Sequence, residues 1–258
     1  MATPLLSIEN LSIGYPNNLL ASDITLDIIP GELTAVIGVN GSGKSTFLKT
    51  ISGQLPPLQG ALFLAEQPLN QFSLKTRSEY ISIVLSTPEY SQNLTVYEVV
   101  ALGRHPYTNW LGALTKNDKI IIQNAMERVD IQDLSDQKCN ELSDGQKQKV
   151  FIARSLAQQT KFIVLDEPTN HLDLYNKAYV FKLLKKLTKD TDKAIVFATH
   201  EINSALQLCD KIIMINKGQL IQGAPKDLIK RGVMDDLFPE DLILFDKHSN
   251  NFRMNNTL

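Results

Sequence analysis

The run GVNGSGKST, Gly38 to Thr46, places Gly38, Gly43, Lys44 and Ser45 at the spacing of a loop that wraps phosphate oxygens. Glycines let the backbone curl until successive N–H groups converge on an anion, and a helix starting there adds favourable potential. Lys44 can then reach the β- and γ-phosphates of a nucleotide, and the Ser45 hydroxyl can ligate Mg²⁺. Val39, Asn40, Gly41, Ser42 and Thr46 complete the same phosphate-binding loop. A second run, FIVLDEP, ends an apolar stretch in two acids, Asp166 and Glu167. Unpaired buried carboxylates are costly, so a strand end of this kind points to chemistry: Asp166 holding Mg²⁺ and Glu167 polarising an attacking water as general base. A third run, KAIVFATH, delivers His200 to another strand end, where a neutral imidazole can bind a γ-phosphate and orient Glu167. Taken singly, each has an ordinary alternative: a glycine-rich turn, a surface strand end, a hydrogen-bonded histidine.

The elements that must position these residues follow from periodicity. LLSIENLSI, LASDITLDI and LTAVIG read as strands, and the last runs into the glycine loop and the helical stretch KSTFLKTIS. YISIVL, Tyr80 to Leu85, is a further strand. From about Thr95 to Gln158 three helices are predicted: TVYEVVALGR, KNDKIIIQNAMERV and DGQKQKVFIARSLAQ. Strand and helix then alternate through FIVLDE, YVFKLLKKL, AIVFATH, INSALQLC and KIIMINKG. The order predicts one α/β domain over residues 1–258. Its core spans 1–85 and 159–240, a helical insertion covers 86–158, and a C-terminal tail covers 241–258. An antiparallel β layer forms the N-terminal part.

The chain is 258 residues long, long enough for one large domain, with 43% hydrophobic and 21% charged residues. Its net charge of −2 gives no broad basic surface, so no nucleic-acid partner is expected. The apolar runs are far shorter than a membrane span, and the first residues alternate instead of forming a signal peptide. Cys139 and Cys209 are far apart without metal-type spacing and read as two free thiols.

The ordered set GVNGSGKST, LSDGQ, FIVLDEP, NHLD and ATHEI resembles the nucleotide-binding subunit of ATP-binding cassette (ABC) transporters. The resemblance covers nearly the whole chain and weakens after about Phe238. It implies a P-loop NTPase (RecA-like) core with an inserted helical subdomain that carries the signature, and it implies ATP and Mg²⁺ as ligands. Two such subunits would sandwich two ATP molecules, each phosphate loop facing the other subunit's signature. By motif, Tyr15 would stack on adenine, although a half-buried turn aromatic is the plainer reading. Ser143, Gly145 and Gln146 would be signature residues, and Asn170 to Asp173 a loop communicating across the dimer.

The stretch TVYEVVALGRHPY is similar to the corresponding segment of importer ATPases for iron–siderophore complexes, haem and vitamin B12, with Gly103, Arg104 and Pro106 as its marker. The same residues would also serve a helix end. The likeness implies integral membrane permease subunits as partners, indirectly a substrate-binding protein, and a peripheral place on the cytoplasmic side of the inner membrane. An exporter subunit or a soluble non-transport cassette ATPase are the alternatives. Two departures stand out. Where the family has a Mg²⁺-contacting glutamine after the YISIVL-type strand, ungapped counting gives Ser86, with Thr87 beside it and Gln92 further along the loop. Where the signature has its first glycine, this chain has Asp144. An acid in a first helical turn favours the helix dipole. The sharper reading is a negative charge facing the phosphates as a brake on closure.

Overall fold

The computed structural model describes residues 3–86, 93–239 and 241–255. Thr87 and Gln92 lie outside the described residues. In the N-terminal layer, β1 (Leu6–Tyr15) and β2 (Asn18–Ile28) pair antiparallel across a tight turn at 16–17, and β4 (Gln59–Leu64) and β5 (Gln67–Pro68) complete a sheet of order β2-β1-β4-β5. Asn10, in the left-handed region at φ 47°, interrupts the register of β1. Such an irregularity bends a strand, and from Leu11 to Gly14 β1 is buried throughout instead of alternating.

The central sheet has order β10-β9-β3-β8-β7-β6. Its strands are β3 (Leu33–Ile37), β6 (Ile81–Val84), β7 (Phe162–Asp166), β8 (Ala194–Ala198), β9 (Lys211–Asn216) and β10 (Gln219–Gly223). All neighbours are parallel except β10, which hairpins back on β9. Parallel strands covered on both faces read as unbroken apolar runs, and β3 and β8 are buried at every residue. Alternation divides them between two cores. Val36, Phe162, Val164 and Val196 pack with Phe47, Leu48 and Ile51 of helix α1 (Lys44–Ile51), which lies between the two sheets. Leu33, Ile37, Leu165, Ile195 and Phe197 face the opposite core, shared with the helices described next.

Those helices are α3 (Val96–Ala101), α4 (Lys116–Glu127) and α5 (Asp144–Ala157) in the middle of the chain, and α6 (Leu174–Thr191), α7 (Ile202–Leu208) and α8 (Pro225–Lys230) after it; α2 (Leu74–Tyr80) precedes β6. Capping boxes at Thr95, Thr115 and Ser143 start α3, α4 and α5.

Two expectations change. TVYEVVALGR is not one α-helix: α3 stops at Ala101 and the chain tightens into a 3₁₀ segment, Leu102–Tyr107. Pro106 has no N–H to continue an α ladder, and a Cβ on Gly103 would sit 2.3 Å from the carbonyl oxygen of Arg154 in α5. The segment read as a C-terminal tail folds into a hairpin, β11 (Ile243–Asp246) with β12 (Asn251–Met254). Its Phe252 stacks edge-on with Phe238 and Phe245, and its backbone exchanges hydrogen bonds of 2.8 and 3.2 Å with the Asn203 amide of α7. Cys139 and Cys209 are free and buried, and burial pushes both thiols up in pKa.

Candidate nucleotide site

The loop Gly38–Gly43 leaves the end of β3 and feeds α1 directly. Gly43 is the N-cap of α1 at φ 106°, a conformation that side chains rarely adopt, and its open side rests on Leu20 of β2 and Ile13 of β1. The first turn of α1 carries no acid, leaving its N–H groups facing the loop uncompensated. Lys44 is 5% exposed. Its Nζ donates to the carbonyls of Gly38 at 3.0 Å and Val39 at 3.2 Å. Burial lowers its pKa, and the carboxylates Glu167 and Asp166 oppose that shift.

The acids arrive on β7. The Ser45 hydroxyl donates to Asp166 Oδ1 at 3.0 Å, joining the start of α1 to the end of β7. Burial raises the Asp166 pKa, the Ser45 hydrogen bond works against the rise, and Glu167 adds to it. Two hard oxygen donors in contact beside a phosphate loop suit Mg²⁺, which takes few protein ligands and keeps phosphate oxygens and water for the rest. Among the described residues no group of three or more His, Cys, Asp or Glu is placed to hold a metal.

Glu167 and His200 meet because their strands are neighbours in register. Asp166 lies opposite Ala198, so Glu167, one residue on, and His200, two residues past Ala198, leave neighbouring strand ends. Glu167 sits at φ 51°, a left-handed conformation that costs roughly 1–3 kcal/mol for a residue with a side chain. The backbone holds it there: its N–H donates to Ala198 at 3.2 Å and its carbonyl accepts from Asn170 at 3.1 Å. In that turn Oε1 lies 2.5 Å from Nε2 of His200. With the carboxylate as acceptor, Nε2 carries the shared proton.

Ser143 is the N-cap of α5. Its Oγ accepts from the Gln146 N–H at 3.3 Å, and the Gln146 side chain accepts from the Ser143 N–H at 2.9 Å. The Asp144 carboxylate is exposed, 3.5 Å from Lys147 Nζ on the next turn. Asp173 caps α6. Tyr15 stands half-exposed at the end of β1. Ser86 is exposed beyond β6, and among the described residues it hydrogen-bonds neither Ser45 nor Asp166.

The fold thus gathers Lys44, Ser45, Asp166, Glu167 and His200 into one cluster. It leaves Ser143, Gly145, Gln146 and Asp173 on separate helix starts, joined to that cluster by no direct hydrogen bond among the described residues. Sequence reasoning did not single out Asn176, Lys177 or Glu201, which lie between the two groups. The spacing from Asp173 to Asn176 is a capping signal; the Lys177–Glu201 contact leaves none in the sequence.

A phosphate loop on a parallel sheet, two acids at the end of the strand two places along and a capped LSDGQ helix on a helical insertion define an ATP-binding cassette. The ABC transporter family profile matches residues 21–170, and the chain belongs to that family. It binds ATP and is an ATPase whose hydrolysis is coupled to transport. It is 40% identical to an uncharacterized ABC transporter ATP-binding protein of Methanocaldococcus jannaschii over 91% of this chain and 81% of that one. It is 35% identical to the iron(3+)-hydroxamate import ATP-binding protein FhuC of Bacillus subtilis over 92% of this chain and 88% of that one. Among solved structures, a chain of an inward-facing ABC transporter described as of metal-chelate type superposes with a TM-score of 0.81 at 28% identity, covering 97% of this chain and 96% of that one. Among the described residues no helix is long and apolar enough to cross a membrane.

Proposed function

We propose that this chain is the energy-coupling ATPase of an importer for metal chelates of the iron–siderophore, haem or cobalamin kind. It works as a homodimer held by integral permease subunits at the cytoplasmic face of the membrane. A relative named for iron(3+)-hydroxamate import supports the substrate class. The catalytic reading is carried by one observation, the 2.5 Å contact between Glu167 and His200 beside Lys44, Ser45 and Asp166.

The residues divide the work as follows. Tyr15 stacks on the adenine. The backbone N–H groups from Gly38 to Gly43, with Thr46, enclose the phosphates, and Lys44 sets a positive charge on their outer oxygens. Ser45 and Asp166 would hold Mg²⁺, with Ser86 at the place of the family's glutamine, and the ion, when bound, would supply charge neutralisation at the phosphate oxygens. Glu167 accepts a proton from water as the water oxygen attacks the γ-phosphorus and the bond to the β-phosphate oxygen breaks. His200 holds the Glu167 carboxylate in that position through Nε2. Ser143 and the N–H of Gly145, with Gln146 and Asp173 beside them, face the γ-phosphate in the partner subunit's loop, so ATP completes the interface and its binding closes the dimer.

The test is reconstitution with the permease subunits in liposomes, supplying a ferric hydroxamate, haem or cobalamin with its binding protein. Uptake that needs ATP, and that Glu167→Gln abolishes, is the expected result. Outward movement of substrate, or full uptake by the Glu167→Gln protein, overturns the reading.

A further inference from the structure

The first turn of α6 makes two contacts that the reaction as described does not use. Asp173 grips both ends of Asn176: the Asn176 N–H donates to Oδ1 and its Nδ2 donates to Oδ2, each at 2.8 Å. The Asn176 amide is thereby fixed, and it is fixed against Gly145 at the start of α5. A Cβ built on Gly145 would lie 2.7 Å from Cγ and Oδ1 of Asn176. Gly145 has no left-handed backbone, so what a side chain there would meet is the Asn176 amide, which would have to give way. One residue further on, Lys177 Nζ lies 2.6 Å from Glu201 Oε1. Glu201 directly follows His200. Its own N–H donates to Thr199 Oγ1 at 3.0 Å and its carbonyl accepts from Ala205, so the ion pair pins the turn that carries His200. Successive residues of a helix point about 100° apart, which lets one rigid turn address two neighbours.

We propose that the first turn of α6 is a positioning element that locks Gly145 of the signature to the Glu167–His200 pair within one subunit, with Asn176 and Lys177 as the positioning residues. The inference rests on the catalytic reading of Glu167 and His200 given above. In the sandwich dimer, Glu167 and His200 serve the subunit's own ATP while Gly145 faces the partner's. A displacement of α6 at one of these places is carried to the other, so the two hydrolysis events depend on each other. The Lys177–Glu201 pair is only about one-third exposed, with side-chain values of 28% and 35%, and water screens it less than a free surface pair.

ATPase activity of the purified full chain, measured against ATP concentration, tests this. Lys177→Met lowers kcat about fivefold with KM unchanged, the pattern of a lost transition-state arrangement. Its Hill coefficient falls towards one, while the nucleotide-free melting temperature stays that of the parent protein. Asn176→Ala lowers the Hill coefficient in the same way. The charge exchange Lys177→Glu with Glu201→Lys restores both kcat and cooperativity, whereas Lys177→Glu alone does not. Parent-like kcat and Hill coefficient in Lys177→Met and Asn176→Ala, a parent Hill coefficient of one, or a loss that the exchange leaves unrepaired overturns the proposal. Glu167→Gln assayed alongside separates the two readings: normal turnover there overturns the catalytic assignment itself, and slow turnover there with parent-like Lys177→Met overturns only the coupling.

Discussion

Glu167 combines three local conditions: a left-handed backbone, a strand-end position and a 2.5 Å contact with His200. Removing its basicity while keeping its shape tests the role that these conditions serve. Glu167→Gln is expected to bind ATP with parent affinity and to hydrolyse it about 10²–10⁴-fold more slowly, the usual contribution of a positioned general base; single-turnover hydrolysis and nucleotide binding measure the two separately. Asp144 is the opposite case, a charged residue within the signature whose carboxylate lies at the surface beside Lys147. Asp144→Gly is therefore expected to leave basal ATPase within about twofold of the parent and to weaken the start of α5 by ~0.3–1 kcal/mol plus the cost of glycine in a helix. A large rise in permease-free ATPase would restore the brake reading. Lys44, Ser45, Asp166, Glu167 and His200 were legible in the sequence because each belongs to a run whose chemistry is local. Asn176 and Glu201 were not, because their meaning comes from what α5 and α6 bring near them.

At the scale of elements, Arg104 ties three segments together. Its Nε lies 2.8 Å from Asp118 at the start of α4, and its Nη1 donates to the Ala157 carbonyl at 2.7 Å and to Gln159 at 3.0 Å at the end of α5. Both members of the ion pair are buried, so Arg104→Ala leaves the Asp118 carboxylate with only its Thr115 hydrogen bonds and should destabilise the chain in urea unfolding, by less than the about 3–5 kcal/mol of a buried charge left with no partner. Asp118 also predicts a pH dependence. The Thr115 hydroxyl and N–H, and after them the Arg104 guanidinium, hold the Asp118 pKa below the ordinary 3.8. A depressed folded value means the stabilisation is complete above the unfolded value and is lost as pH falls through the folded one. Asp118→Asn should thus flatten the stability profile below about pH 4 and leave its slope near neutrality unchanged. The GRxP residues that suggested an importer in the sequence are, in the fold, the 3₁₀ joint of the helical part. Glycine, arginine and proline there were readable; that the arginine turns inward was not, because its partners lie 14 to 55 positions away.

At the scale of the whole molecule, the two surfaces that the proposed sandwich dimer brings together are unequal in chemistry. The phosphate loop offers backbone N–H groups, whereas the start of α6 offers Leu174 and Tyr175, exposed at 84% and 78% beside the Asp173 cap. Large apolar side chains held that far into water at the capped start of α6 are suited to burial against a second copy. In the proposed dimer their burial would depend on ATP, because the phosphates are the remaining link between the two half-sites. Leu174→Asp should accordingly leave the nucleotide-free protein folded, with a melting temperature within a degree or two of the parent, since an exposed substitution alters stability little. In the Glu167→Gln background, where hydrolysis cannot reopen the interface, it should abolish the ATP-dependent dimer seen by size-exclusion chromatography or light scattering. Persistence of that dimer would place the contact elsewhere on the surface. Loss of the dimer together with unchanged ATP binding would assign Leu174 to the interface and leave the phosphate loop intact in each subunit.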